Sequence, residues 1–281
     1  MVCMPSDRRS CGAAVAHLVV AVKYLGYAGN VAVLPDPSDP DLVASVGLGH
    51  ARTPDDHDQQ LFAAIDRRHT HRSAFEARSV PDDLLAALGA EADNVGATLH
   101  VILDEETKQQ AAALVAEGDR RQMADPRFRQ ELTSWVRSNY SRRGDGMPGY
   151  ACGIPGLPSL VGALFLRTID MGRRQAVRDA ELAATAPALL LLTTPEDGAA
   201  EWVATGRALG TLLLTAAAAG LAASFLNQPI ETSAFRPKLA GLVDSTGAQP
   251  QLLLRLGYPS THDRPTPRRP VKDLLASPDG T

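Results

Sequence analysis

The sequence predicts an α+β protein, and three observations carry that expectation. The segment APALLLLTT, from Ala186 to Thr194, is an unbroken apolar run of strand length, as a fully buried strand requires. ATLHVIL, from Ala97 to Leu103, alternates in polarity and is β-branched enough to be a second strand. Trp202 to Leu221 is a long helix rich in Ala and Leu, and helical patterns recur on both sides of the two strands.

The remaining elements follow in order. Ala13 to Leu25 reads as a buried helix, and VAVLPDPSDPDLV, from Val31, as a short strand entering a turn fixed by Pro35, Pro37 and Pro40. Asp55 to Ile65 is a helix with charge on one side. Another starts at Val80-Pro81-Asp82-Asp83, where the proline and the acids suit the first turn. Lys108 to Met123 and Pro126 to Ser138 read as helices, the second with Trp135 on its apolar face, and Gln251 to Leu256 is the last strand. The Gly- and Pro-rich stretch RRGDGMPGYACGIPGLPSL, from Arg142 to Leu160, has the composition of a long ordered loop rather than a flexible linker.

Composition narrows the function classes. A chain of 281 residues with 28 Lys+Arg against 32 Asp+Glu lacks the strongly basic character that nucleic-acid binding draws on. Cys3, Cys11 and Cys152 are odd in number and lack C-x-x-C spacing, so no disulfide framework or zinc site is expected and a reduced, cytoplasmic setting is. His17 and Lys23 interrupt the apolar segment near the start, which is too short to span a bilayer; no membrane is expected. No dinucleotide fingerprint, phosphate-binding P-loop or nucleophile elbow occurs, and His17 reads as a satisfied core residue. The amides of Asn227 and Gln228 are open to two readings, a polar contact to a ring edge or a turn cap.

An internal match divides the chain. CGAAVAHLVVAVKYLGY, from Cys11, aligns without gaps on TGRALGTLLLTAAAAGLA, from Thr205, pairing Gly12 with Gly206, Ala14 with Ala208, Leu18 with Leu212 and Gly26 with Gly220. The later glycine of each pair is a helix stop, and the earlier one is compatible with close packing. The expectation is two pseudo-repeated halves, a partial first half over residues 1–65 and a complete second half over residues 66–281.

At the start of the second half stands RRHTHRSAF, with three arginines, two histidines and a threonine in Arg67 to Arg72. In an extended segment alternate side chains share a side, so Arg68, Thr70 and Arg72 form one set and His69 and His71 the other. Two guanidinium forks and a hydroxyl suit a dianionic phosphate. A solvated basic turn is the plain alternative, and an isolated H-x-H pair is a weak metal signal. In the tail, TPRRPVKDLL brings a second pair, Arg268 and Arg269, that either reaches the same anion or belongs to an exposed peptide.

The ordered set RRHTHRSAF with VPDDLLAAL, APALLLLTT, GRALGTLLLTAAAAGLAASFLNQPIE, QLLLRLGYP and TPRRPVKDLL resembles the flavin-dependent nitroreductase family, in its Acg-like branch. The resemblance implies a nitroreductase-like fold, mainly antiparallel sheet flanked by helices. Ordinary members are homodimers and this branch is similar to a dimer fused in one chain, so a pseudo-dimeric monomer or a homodimer is implied. Arg68-x-Thr70-x-Arg72 looks like the family's R-x-S-x-R phosphate element for FMN, with Arg268 or Arg269 as the C-terminal basic contact. The implied activity is hydride transfer from NAD(P)H through flavin to a small electron-poor acceptor, a nitroaromatic or a quinone. With the cofactor carrying the chemistry, no catalytic side chain is expected. The Gly/Pro loop is expected over or beside the flavin. The branch also opens with a segment carrying an A-P-S-x-H-N-x-Q-P-W motif, where this chain begins MVCMPSDRRSCGAAV, so a flavin site short of that wall is expected. A flavin-binding or storage protein without turnover, or a stress-response protein, is the alternative.

Overall fold

A four-stranded antiparallel sheet, buried on both faces, organises the structure. The computed structural model describes residues 5–141, 143, 145–152, 172–261, 266 and 268–271. Helix α1 (Pro5–Tyr24) leads into strand β1 (Tyr27–Val33), which pairs antiparallel with β2 (Ala44–Ala51), placing Val31 opposite Val46. Helices α2 (Asp56–Arg67) and α3 (Asp82–Asp93) precede β3 (Thr98–Ile102); α4 (Glu105–Ala124) and α5 (Pro126–Trp135) follow it. The short strands β4 (Val136–Arg137) and β5 (Met147–Pro148) pair in parallel. Then come α6 (Gly172–Ala184), β6 (Ala188–Thr194), α7 (Ala199–Ala218), β7 (Ala222–Phe225), the short helices α8 (Gln228–Glu231) and α9 (Arg236–Leu242), and β8 (Gln249–Gly257).

The sheet order is β3-β6-β8-β7, with every neighbour antiparallel. All seven residues of β6 are buried, and its leucines divide by the two-residue period of a strand. Leu190 and Leu192 join one core layer with Leu88 of α3 and Leu209 and Leu212 of α7. Leu189 and Leu191 join the opposite layer with Ala111 and Val115 of α4, Ala183 of α6 and Leu239 of α9. The unbroken apolar run is therefore the signature of a central strand with helices on both sides.

Local chemistry sets the boundaries. Asp55 and Asp58 form a reciprocal capping box at the start of α2, and Asp104 and Asp125 cap α4 and α5. Gly26 after α1 and Gly220 after α7 have φ of 88° and 78°, the left-handed turn that ends each helix without a side-chain penalty. Helices α1 and α7 pack along one another, and a Cβ on Gly12 would meet Gly206 Cα at 2.9 Å and the Val203 carbonyl. The contact is reciprocal, since a Cβ on Gly206 would meet Gly12 Cα and the Arg9 carbonyl.

The outcome at Trp135 differs from expectation: the indole is 53 % exposed. Helix α5 lies at the periphery and none of its residues is fully buried, so its apolar stripe has only Phe128 and Leu132 half-covered. Residues 142, 144 and 153–160 of the Gly/Pro loop and the tail after Val271 lie outside the described residues. Among the described residues, no helix is long and apolar enough to cross a membrane.

Candidate functional site

The basic segment lies along the exposed edge of the sheet. Arg68 caps the C-terminus of α2 in extended conformation, and Thr70 then makes a parallel bridge to Ala223 of the edge strand β7. His71 N–H donates to the Ala223 carbonyl at 3.1 Å, which fixes the register. The chain thus adds a fragment of a fifth strand beside β7, and alternation follows from that geometry. His71 is fully buried and its Nε2–H donates to the Ala74 carbonyl, while Arg68, Thr70 and Arg72 are half-buried. His69 is half-buried as well, with Nδ1–H on the Arg67 carbonyl.

Arg255, towards the end of β8, holds this segment. It is 1 % exposed, and its guanidinium donates to the Ser73 carbonyl at 2.8 Å and the His71 carbonyl at 3.1 Å. The same group lies over the Phe75 ring at 4.7 Å. The sequence offered a signal for this role, a lone arginine inside the apolar strand QLLLRLG, which the motif-based reading passed over.

Arg68 and Arg268 meet. The Arg268 guanidinium donates to the Arg68 carbonyl at 3.2 Å and to Thr266, and among the described residues no carboxylate pairs with either arginine. Burial, then the charge of Arg268, push the Arg68 guanidinium below its usual value. Arg72 instead reaches Met147 Sδ at 3.8 Å, within the Gly/Pro loop. Arg269 is exposed beside Arg268.

A further group at this place departs from expectation. His17 of α1 is not a satisfied core histidine: its buried Nε2 has no hydrogen-bond partner among the described residues. Burial, then Arg68 and Arg268, hold its pKa below the ordinary histidine value.

The amides after β7 serve internal contacts. Asn227 Oδ1 accepts from Leu253 N–H, and Gln228 Nε2 donates at 3.1 Å to both Asp119 of α4 and Asp179 of α6. Asp119 is 4 % exposed, and its pKa is pushed up to about 7 by burial and by the neighbouring Asp179 charge. Folded protein therefore retains a proton that the unfolded chain has released above about pH 4, so this group's contribution to stability falls as pH rises from 4 to 7. Asp119→Asn is expected to remove that slope, gaining on the order of 2 kcal/mol on the parent between pH 5 and pH 8. Thermal melts across that range check it; parallel curves for the two proteins would count against the assignment.

Fold and site together define an α+β protein with a two-sided antiparallel sheet and, at its edge, two neighbouring arginines that no carboxylate among the described residues pairs with. The chain belongs to the nitroreductase family: the profile described as "Nitroreductase family" matches residues 65–258. The Mycobacterium tuberculosis H37Rv protein named "Putative NAD(P)H nitroreductase Rv3131" is 32% identical over 281 residues, covering 96% of this chain and 77% of its own length. The one named "Putative NAD(P)H nitroreductase acg" is 28% identical over 273 residues, covering 94% and 79%. Among solved structures, the FMN and NADPH-dependent nitroreductase NfnB from sphigopyxis sp. strain HMH aligns with a TM-score of 0.52 at 18% identity, over 77% of this chain and 98% of that one. The FMN-dependent NfnB from Mycobacterium smegmatis, in complex with NADPH, aligns with a TM-score of 0.50 at 16% identity, over 79% and 99%. Both structural likenesses speak to the fold.

Proposed function

We propose that this chain binds FMN and acts as an NAD(P)H oxidoreductase on a small electron-poor acceptor, a nitroaromatic or a quinone. The observation that carries the reading is the meeting of Arg268, whose guanidinium donates to the Arg68 carbonyl, with Arg68 of the family match, where no carboxylate among the described residues pairs with either side chain. A dianionic phosphate fits this donor set, because it accepts forked, charge-assisted hydrogen bonds and relieves the repulsion between the two cations. In this reading Arg68, Thr70, Arg72, Arg268 and Arg269 hold the phosphate, and Arg255 fixes the backbone from which the first three project. The chemistry that FMN supplies when bound is two-electron transfer between a nicotinamide and the acceptor. The chain's own part is to bind and orient, which agrees with the structural use already made of His71, Asn227 and Gln228.

The same proposal takes residues 1–65 as a partial first half and residues 66–281 as a complete second half. Each contains a long helix, a left-handed glycine and an antiparallel strand pair, α1-Gly26-β1-β2 and α7-Gly220-β7-β8. Reciprocal contact of Gly12 with Gly206 is what a two-fold relation between the halves produces. A cytoplasmic setting completes the reading, in which the exposed Cys11 thiol stays reduced.

Anaerobic mixing of the FMN-loaded protein with NADPH tests turnover. Loss of the flavin absorbance bands, and their return on adding a quinone, is expected. Unchanged absorbance over minutes would leave a flavin-binding or storage role without turnover.

A further inference from the structure

We propose that His17 is a proton-coupled arm of the anion site: its imidazole takes up a proton when the FMN phosphate binds and shares that charge with Arg68 and Arg268. This rests on the phosphate reading given above. Helix α1 contributes the residue, so the site draws on a part of the chain before the family match at residues 65–258.

The starting observation is an orphaned polar atom. His17 Nε2 is buried, has no partner among the described residues, and lies within the field of two guanidiniums that no described carboxylate neutralises. A buried nitrogen without a partner is destabilising, because it has lost its water without gaining a hydrogen bond. An anion accepting between the arginines removes that cost, provided the nitrogen carries hydrogen toward it. In the free protein, burial and both cations disfavour the imidazolium. A dianion at the same place offsets both guanidinium charges and offers oxygens to which an imidazolium N–H donates, so the imidazolium becomes the favoured form.

Linkage then has a definite sign. Between the lowered pKa of the free site and the raised pKa of the complex, binding consumes protons, so affinity falls as pH rises. The charged groups acting on His17 are Arg68, from the end of α2, and Arg268, from the tail; both stay charged through neutral pH. The phosphate's own second proton leaves near pH 6, so above about pH 6.5 its contribution to the slope is small.

The test is calorimetric titration of FMN, and separately of riboflavin, into the full chain in phosphate-free buffers of different ionisation enthalpy at several pH values from 6.5 to 8.5. For the parent, FMN is expected to bring net uptake of about 0.3–1 proton at its maximum in this range, and its affinity to weaken at least about threefold across it. Riboflavin, which lacks the phosphate, is expected to bring none. In His17→Gln, FMN uptake should fall close to zero and the affinity should become flat with pH. Proton uptake by the parent that is absent, equal for both ligands, or retained in His17→Gln overturns the role of His17. Equal affinity of FMN and riboflavin at every pH overturns the phosphate reading itself. The parent comparison keeps the proposal open to refutation even if the variant fails to fold.

Discussion

Gly206→Val is expected to destabilise the protein by roughly 3 kcal/mol, through overpacking where neither side can relax. A Cβ there strikes the Arg9 carbonyl and Gly12 Cα, both backbone, so α1 and α7 must move apart along their shared length. Ala16 against Gly210 and Val20 against Leu214 follow the same seam, and they lose contact with it. Gly206→Ala tests the same point more finely. It gains about 1 kcal/mol of helix propensity, yet the collision already exists at Cβ, so the net effect is still a loss. Gly89 in α3 is the control: an added Cβ there meets nothing within 4 Å, so Gly89→Ala is expected to stabilise by about 0.5–1 kcal/mol. Thermal melts of the variants read both signs, and a neutral Gly206→Ala would mean that the helices do not approach this closely.

Arg255→Leu carries the second large effect, a loss of roughly 3 kcal/mol or more, because charge-assisted hydrogen bonds to a buried and a part-buried carbonyl disappear together. The leucine fills space but leaves His71 and Ser73 without their donor, and Asp179 without the nearby positive charge. The substitution also frees the segment between Arg68 and Phe75 from β8. FMN affinity should therefore fall in a variant whose phosphate-facing residues are all intact. Arg255→Lys keeps the charge without the planar fork and should lie between, since an ammonium cannot span both carbonyls in the same way. Denaturant melts with and without FMN separate the stability loss from the binding loss.

What the sequence revealed and what it concealed have physical reasons. The central strand and the helix after it were legible because an unbroken run such as APALLLLTT must lie between two apolar layers. The matched glycines were legible because a helix stop and a close helix contact each select glycine. Strand β2, ASVGLGHA, was missed because its small residues and glycines carry little β signal, and β7 because four residues are too few for periodicity. Helix α6 was missed behind the Gly/Pro stretch that precedes it. At the site, alternation drew attention to Arg68, Thr70 and Arg72. The roles of Arg255 and His17 depend on contacts across more than 50 residues of chain, which no local pattern encodes.

The phosphate contact is tested most directly by comparing FMN with riboflavin in the parent and in Arg68→Ala by fluorescence titration. In the parent, FMN is expected to bind at least tenfold more tightly than riboflavin. Arg68→Ala should weaken FMN by roughly 1.5–3 kcal/mol while leaving riboflavin unchanged. Equal affinities for the two flavins in the parent, or an Arg68→Ala variant that binds FMN as the parent does, would contradict it.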